Sequence, residues 1–291
     1  MKRVARAFAL ALTILGAAVQ LFPAAAQDLQ NSQIDIAYVE PGKAEYRPIY
    51  DRLRARQVLE ELRMFLAPLR LPNKVLVKIE QCDASDRLYQ SGGPVTICYE
   101  YVDRLRELAA KIPADSKTQR GVSREDAIVG AFVQVVLQRM SSAVFDNLDI
   151  PIWGREQDAA DKLAGFLMLQ FGKETARRLL NGAAYFFEAS DRTWTGSDFS
   201  DTRGTEAQRF YNYLCVAYGG DRRTFSDFVE SQSMGRGDQR LDLLPEARAV
   251  RCPKEYSDLT WAFDSTIMPN VDRNLLGKVA ARKWLRPDDG R

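Results

Sequence analysis

Histidine occurs nowhere in the 291 residues. That absence excludes serine–histidine–aspartate and cysteine–histidine nucleophile systems, together with every metal site that depends on imidazole. Cysteine is scarce, with four copies and no CxxC pair, so no cysteine-rich metal cluster can be assembled. The chain also lacks a P-loop, a dinucleotide fingerprint, an internal repeat and any low-complexity tract. The remaining catalytic options are a serine–lysine dyad or paired carboxylates, and no spacing marks either one.

An excess of charge is missing as well. Lys2, Arg3 and Arg6 precede an apolar run from Ala7 to Val19, and Ala24-Ala25-Ala26 closes it with small residues, which is the layout of a secretory signal peptide over 1–26. Without Lys2, Arg3 and Arg6 the 41 basic residues become 38 against 39 acidic ones, a net charge of −1. A chain so balanced offers no electrostatic footprint for nucleic acid or anionic lipid. The expected location is periplasmic or secreted, with no transmembrane segment once the leader is removed.

In that oxidising setting Cys82, Cys98, Cys215 and Cys252 are expected to form two bridges. Three pairings are open. The local pairs Cys82–Cys98 and Cys215–Cys252 are favoured because each brackets one supersecondary unit.

Residues 27–47 read as a polar, mobile segment, and 48–291 as a single domain or two lobes. Helical spacing runs through Ile49–Leu66, Tyr101–Ile112, a long apolar stretch from Ser123 to Val144, Glu156–Leu169, Glu174–Phe187 and Gln208–Val216. Ser123 with Asp126 three residues on is a capping-box start. The alternation at Val75–Ile79 and the run Val95–Tyr99 read as strands, with Ser91-Gly92-Gly93-Pro94 as turn chemistry between them. The pattern predicts an α+β, helix-rich fold with one small antiparallel sheet, a hairpin that Cys82–Cys98 would staple.

At Asp146–Asp161 the chain reads DNLDIPIWGREQDAAD. With Cys98-Tyr99-Glu100, QRFYNYLC ending at Cys215, Tyr218-Gly219 and Arg248-Ala249…Cys252…Glu255-Tyr256, this resembles a family of exported bacterial metallopeptidases that carry an HExxH helix and a GREEDAAD-type segment. The resemblance covers roughly residues 50–265 and implies a zincin-like fold and a zinc cofactor.

An ungapped placement of the HExxH helix puts its two histidines at Gln138 and Ser142 and its glutamate at Arg139. The family's next acidic ligand falls on Gln157, and a ligand-orienting aspartate on Asp161. Glu156 and Asp158 flank them. An amide, a hydroxyl and a guanidinium cannot replace two imidazoles at i and i+4 and a general base. The resemblance thus implies a degenerate member with no catalytic residue and with zinc lost. The expected function is that of a pseudopeptidase with a binding or structural role, its partner being an envelope protein or a peptide in the relic cleft. The alternative is a hydrolase using carboxylate ligands or a non-zinc metal.

Arg139 could then pair with Glu156, Asp158 or Asp161, placing a guanidinium where metal charge used to be. The acids Asp146, Asp149, Glu156, Asp158 and Asp161 could instead gather a hard cation, although caps and salt bridges are the commoner use of such residues. In the family's hairpin pattern, Arg87 stands where a small residue is expected and would obstruct a substrate groove. Tyr185-Phe186-Phe187, with Trp194, reads as core.

Overall fold

A computed structural model describes residues 33–84, 88–118, 120–190, 201–229 and 243–285. Val75–Glu80 forms strand β2. Its pleat turns Val75, Val77 and Ile79 inward and leaves Leu76 half exposed, as period-two alternation requires. Ile34–Tyr38 forms β1 and Val95–Cys98 forms β3, the latter buried along its whole length. The sheet order is β1-β2-β3.

Both pairings are parallel, with Ile34 opposite Val75 and Val77 opposite Val95. The expected antiparallel hairpin is therefore wrong. The connection from residue 81 to 94 is long enough to carry the chain back and start β3 in the same direction as β2, which a tight turn cannot do. The Ser91–Pro94 turn is real, with Gly92 at φ 71°, but it aims the chain into β3 and does not fold one strand onto the other. Asp146 holds it there, accepting from Ser91 Oγ at 2.6 Å, Tyr89 OH at 2.9 Å and the Gly92 N–H at 2.9 Å.

Regular structure also begins before the expected boundary at residue 48. Besides β1, a 3₁₀ turn at Ala44–Tyr46 leads into helix α1, Arg47–Ala55. Gln57, at φ 51°, separates α1 from α2, Val58–Phe65, so the single helix expected over 49–66 is two. The leader, residues 27–32, Arg87 and Trp194 lie outside the described residues.

Helix α3, Tyr99–Ala109, follows β3 directly. The long helix α4, Arg124–Asn147, starts with the Ser123/Asp126 capping box, and every residue from Gly130 to Phe145 is buried. It is long and apolar enough to cross a membrane, yet 89% of its apolar window is buried inside the protein. That is how a core helix apolar on all faces behaves.

Around α4 pack α5, Glu156–Leu169, α6, Lys173–Ser190, and α3. Helix α7, Glu206–Gly220, lies against α5 and α6. A short turn of helix α8, Glu246–Ala249, then α9, Cys252–Thr266, and α10, Arg273–Ala280, complete the described fold. One hydrophobic core runs from Ile34 to Trp284, with Phe186 and Phe187 inside it. Cys82–Cys98 and Cys215–Cys252 are both bonded, with Cα separations of 5.4 and 5.1 Å.

Candidate functional site: a buried polar seam between two helices

Inside an otherwise apolar core, α4 and α5 bury Gln134, Gln138, Arg139, Ser141, Ser142, Gln157 and Asp161, each at most 8% exposed. Gln134, Gln138 and Ser142 recur every four residues and share one face of α4. Gln157 and Asp161, likewise four apart, share a face of α5. The Gln138 amide donates to the Gln157 carbonyl oxygen, so the residues standing at the expected ligand positions on the two helices meet. One turn earlier, Gln134 Nε2 donates to Asp161 Oδ1 at 3.0 Å. Ser142 Oγ is buried with no hydrogen-bond partner among the described residues.

Asp161 is the electrostatic centre of the seam. Arg209 on α7 grips it with Nε to Oδ2 at 2.6 Å and Nη2 to Oδ1 at 2.9 Å, and Tyr213 OH adds a weaker bond at 3.4 Å. This is a bidentate fork, the geometry arginine provides and lysine does not. The Arg209 guanidinium also lies over the Phe187 ring, 4.3 Å from its centroid. Burial works against the Arg209 charge, but the Asp161 carboxylate outweighs it and holds the guanidinium protonated above its ordinary range. Burial, and then the same carboxylate, push Tyr213 well up, so it stays a neutral donor.

Arg139 turns away from these acids. Its Nη1 donates to the Thr96 carbonyl of β3, while Asp161 is taken by Arg209 and Asp158 accepts the Gly204 N–H at 3.2 Å. The guanidinium therefore ties α4 to the edge strand of the sheet. Sequence reasoning missed Arg209, Tyr213 and Gln134. The signal for the first two was available: they stand four apart within QRFYNYLC, one polar face on a helix that must pack.

The acids of 146–161 do not gather round a point. Asp146 anchors the 89–92 turn, and among the described residues the only cluster of three possible ligands at metal-binding distance is Cys82, Cys98 and Glu100. Its two sulfurs form a disulfide, and Glu100 accepts the N–H groups of Cys82 and Asp83. It is a structural knot, not a cation site.

Residues 38–266 match the family described as Putative metallopeptidase. The chain belongs to that family. Among curated proteins and among solved structures nothing matches. The zinc that the HExxH resemblance implies does not fit the residues at the positions expected to hold it. Gln138, Ser142 and Gln157 are neutral, and Gln138 and Gln157 are already bonded to each other. The neighbour at position 139 is a cation. A divalent transition metal needs charged or imidazole donors, and none of these three supplies one.

Proposed function

We propose that the protein is a catalytically inactive metallopeptidase-like protein, a pseudopeptidase of the envelope or secreted space whose scaffold serves a binding or structural role. The observation that carries this reading is the direct Gln138–Gln157 contact at the centre of the α4–α5 seam. Where peptide hydrolysis would require a metal-activated water and a base, two amides close on each other and Arg139 replaces the glutamate. Arg139 in turn donates to the buried Thr96 carbonyl of β3, so its charge is committed to holding α4 against the sheet. The two disulfides and the signal-peptide pattern support export.

The test is elemental analysis of the purified mature chain, joined to a casein and peptide-library assay with and without chelator. The expected result is no stoichiometric zinc, no cleavage, and a melting temperature that chelator leaves unchanged, because no ion stabilises the native state. Stoichiometric metal with chelator-sensitive cleavage would instead establish the hydrolase with non-histidine ligands.

A further inference from the structure

The seam is closed to ligands, but beside it the start of α5 lies at the surface, with Arg155 and Glu156 exposed. There, among the described residues, the start of α5, the first half of α7 and the α8 turn border a shallow, open depression of about 580 Å³, lined by Arg155, Asp158, Gln208, Tyr211, Asn212 and Arg248. The volume lies within the ~300–1,000 Å³ typical of small-ligand pockets. That is room for the end of a short peptide.

The walls are rich in donors. Arg248 is held in place by Glu255, with Nη2 to Oε2 at 2.8 Å, so its charge is largely answered. Asp158, the one carboxylate in the lining, already accepts the Gly204 N–H. Arg155 differs from both. It makes no ion pair among the described residues, and its guanidinium has one long bond of 3.4 Å, to the Arg203 carbonyl. An arginine fork in a concave site beside carboxamides is matched by a carboxylate, which it can bind through two parallel bonds. Asn212, the amide N–H groups of Gln208, whose carbonyl oxygen is taken by the Thr205 N–H at 3.0 Å, and the remaining acceptor capacity of Asp158 suit the amide groups of a peptide backbone.

We propose that this depression binds the C-terminal carboxylate of a short peptide, with Arg155 as the anchoring cation. The site is separate from the α4–α5 seam, and the proposal holds whether or not the protein hydrolyses anything. Failure here would leave the zinc and cleavage results untouched, and the reverse is equally true.

The experiment titrates the mature chain with N-acetyl-trialanine carrying a free carboxyl, and separately with its C-terminal amide, following backbone amide resonances. Saturable shifts at residues of α5 and α7 are expected with the acid, and binding weaker by roughly tenfold or more with the amide. Arg155→Gln should lose the acid's advantage and Arg155→Lys should restore part of it. Lys74→Gln, an exposed change just before β2, should bind as the parent does. Equal binding of acid and amide to the parent chain, absence of saturation with either, or undiminished binding by a folded Arg155→Gln would each overturn the proposal. The acid–amide comparison needs no variant and stands even where a substitution fails to fold.

Discussion

Asp161 and Arg209 are the pair on which the buried seam depends, with side chains 3% and 14% exposed. Removing one partner leaves the other charge buried without its counter-ion, which costs about 3–5 kcal/mol. Arg209→Met is accordingly expected to lower stability by that amount in denaturant titration. Replacing Asp161 and Arg209 together with apolar residues should cost much less than the sum of the single changes. Gln134 and Tyr213 would then be the groups left to re-pair. At the other end of α4, hydrogen bonds from Ser91, the Gly92 N–H and Tyr89 lower the Asp146 pKa below the usual carboxylate range, while burial, and then the bond to Asp146, push Tyr89 up to about 12. A depressed carboxylate contributes stability above the ordinary range, and the contribution disappears as pH falls through its lowered value. Asp146→Asn should thus be destabilised relative to the parent at pH ~6, with the difference shrinking as pH falls below the ordinary carboxylate range, as read by chemical denaturation at a series of pH values. The partners of Asp146 and Asp161 were not legible from spacing, because they lie 55 and 48 positions away in the chain.

Among the elements, α4 and α6 approach so closely that side chains are excluded where they cross. A Cβ on Gly182 would lie 2.0 Å from the Asp126 carbonyl oxygen, and one on Gly130 would lie 2.4 Å from that of Leu179. Backbone cannot retreat as a flexible side chain can, so Gly182→Ala is expected to cost at least the ~1–3 kcal/mol of an overpacked core, measured by thermal or denaturant unfolding. The sheet shows how a correct reading of residues can still miss topology. Val75–Ile79 and Val95–Cys98 are strands, as their patterns indicate, and Ser91–Pro94 is a turn. In an antiparallel hairpin, however, Cys98 would sit at the far end of its strand from Cys82. Only parallel strands bring both cysteines to the same end, and the register Glu80 opposite Cys98 does so. The favoured bridge and the favoured hairpin were therefore incompatible, and the disulfide was the better guide to strand direction. Loop-closure entropy assigns about 3 kcal/mol to Cys82–Cys98 and about 4 kcal/mol to Cys215–Cys252, whose separations are 16 and 37 residues. Replacing each pair by alanine should follow that order.

For the whole molecule, the missing histidines reach beyond the site. No imidazole exists and all four cysteines are bonded, so the side chains that ordinarily titrate between pH ~5 and ~8 are absent. The melting temperature is expected to stay nearly level over that interval and to fall only on the acid side, where carboxylates such as Asp146 and Asp221, lowered by its hydrogen bonds from Thr224, take up protons. A sigmoidal change centred near pH ~6.5 would show that another group carries the linkage. Composition alone ruled out imidazole chemistry, because a donor atom that is not encoded cannot be supplied by folding. Local pattern alone placed most helices and the α4 cap, because these depend on neighbours a few positions apart, and the redox setting called for two bridges while only favouring the local pairing. Strand direction, the joining of Gln138 to Gln157, the Arg209 fork on Asp161 and the depression beside Arg155 were settled by the tertiary structure. Each brings together groups far apart in the chain, and only the packing of helix on helix determines which of them meet.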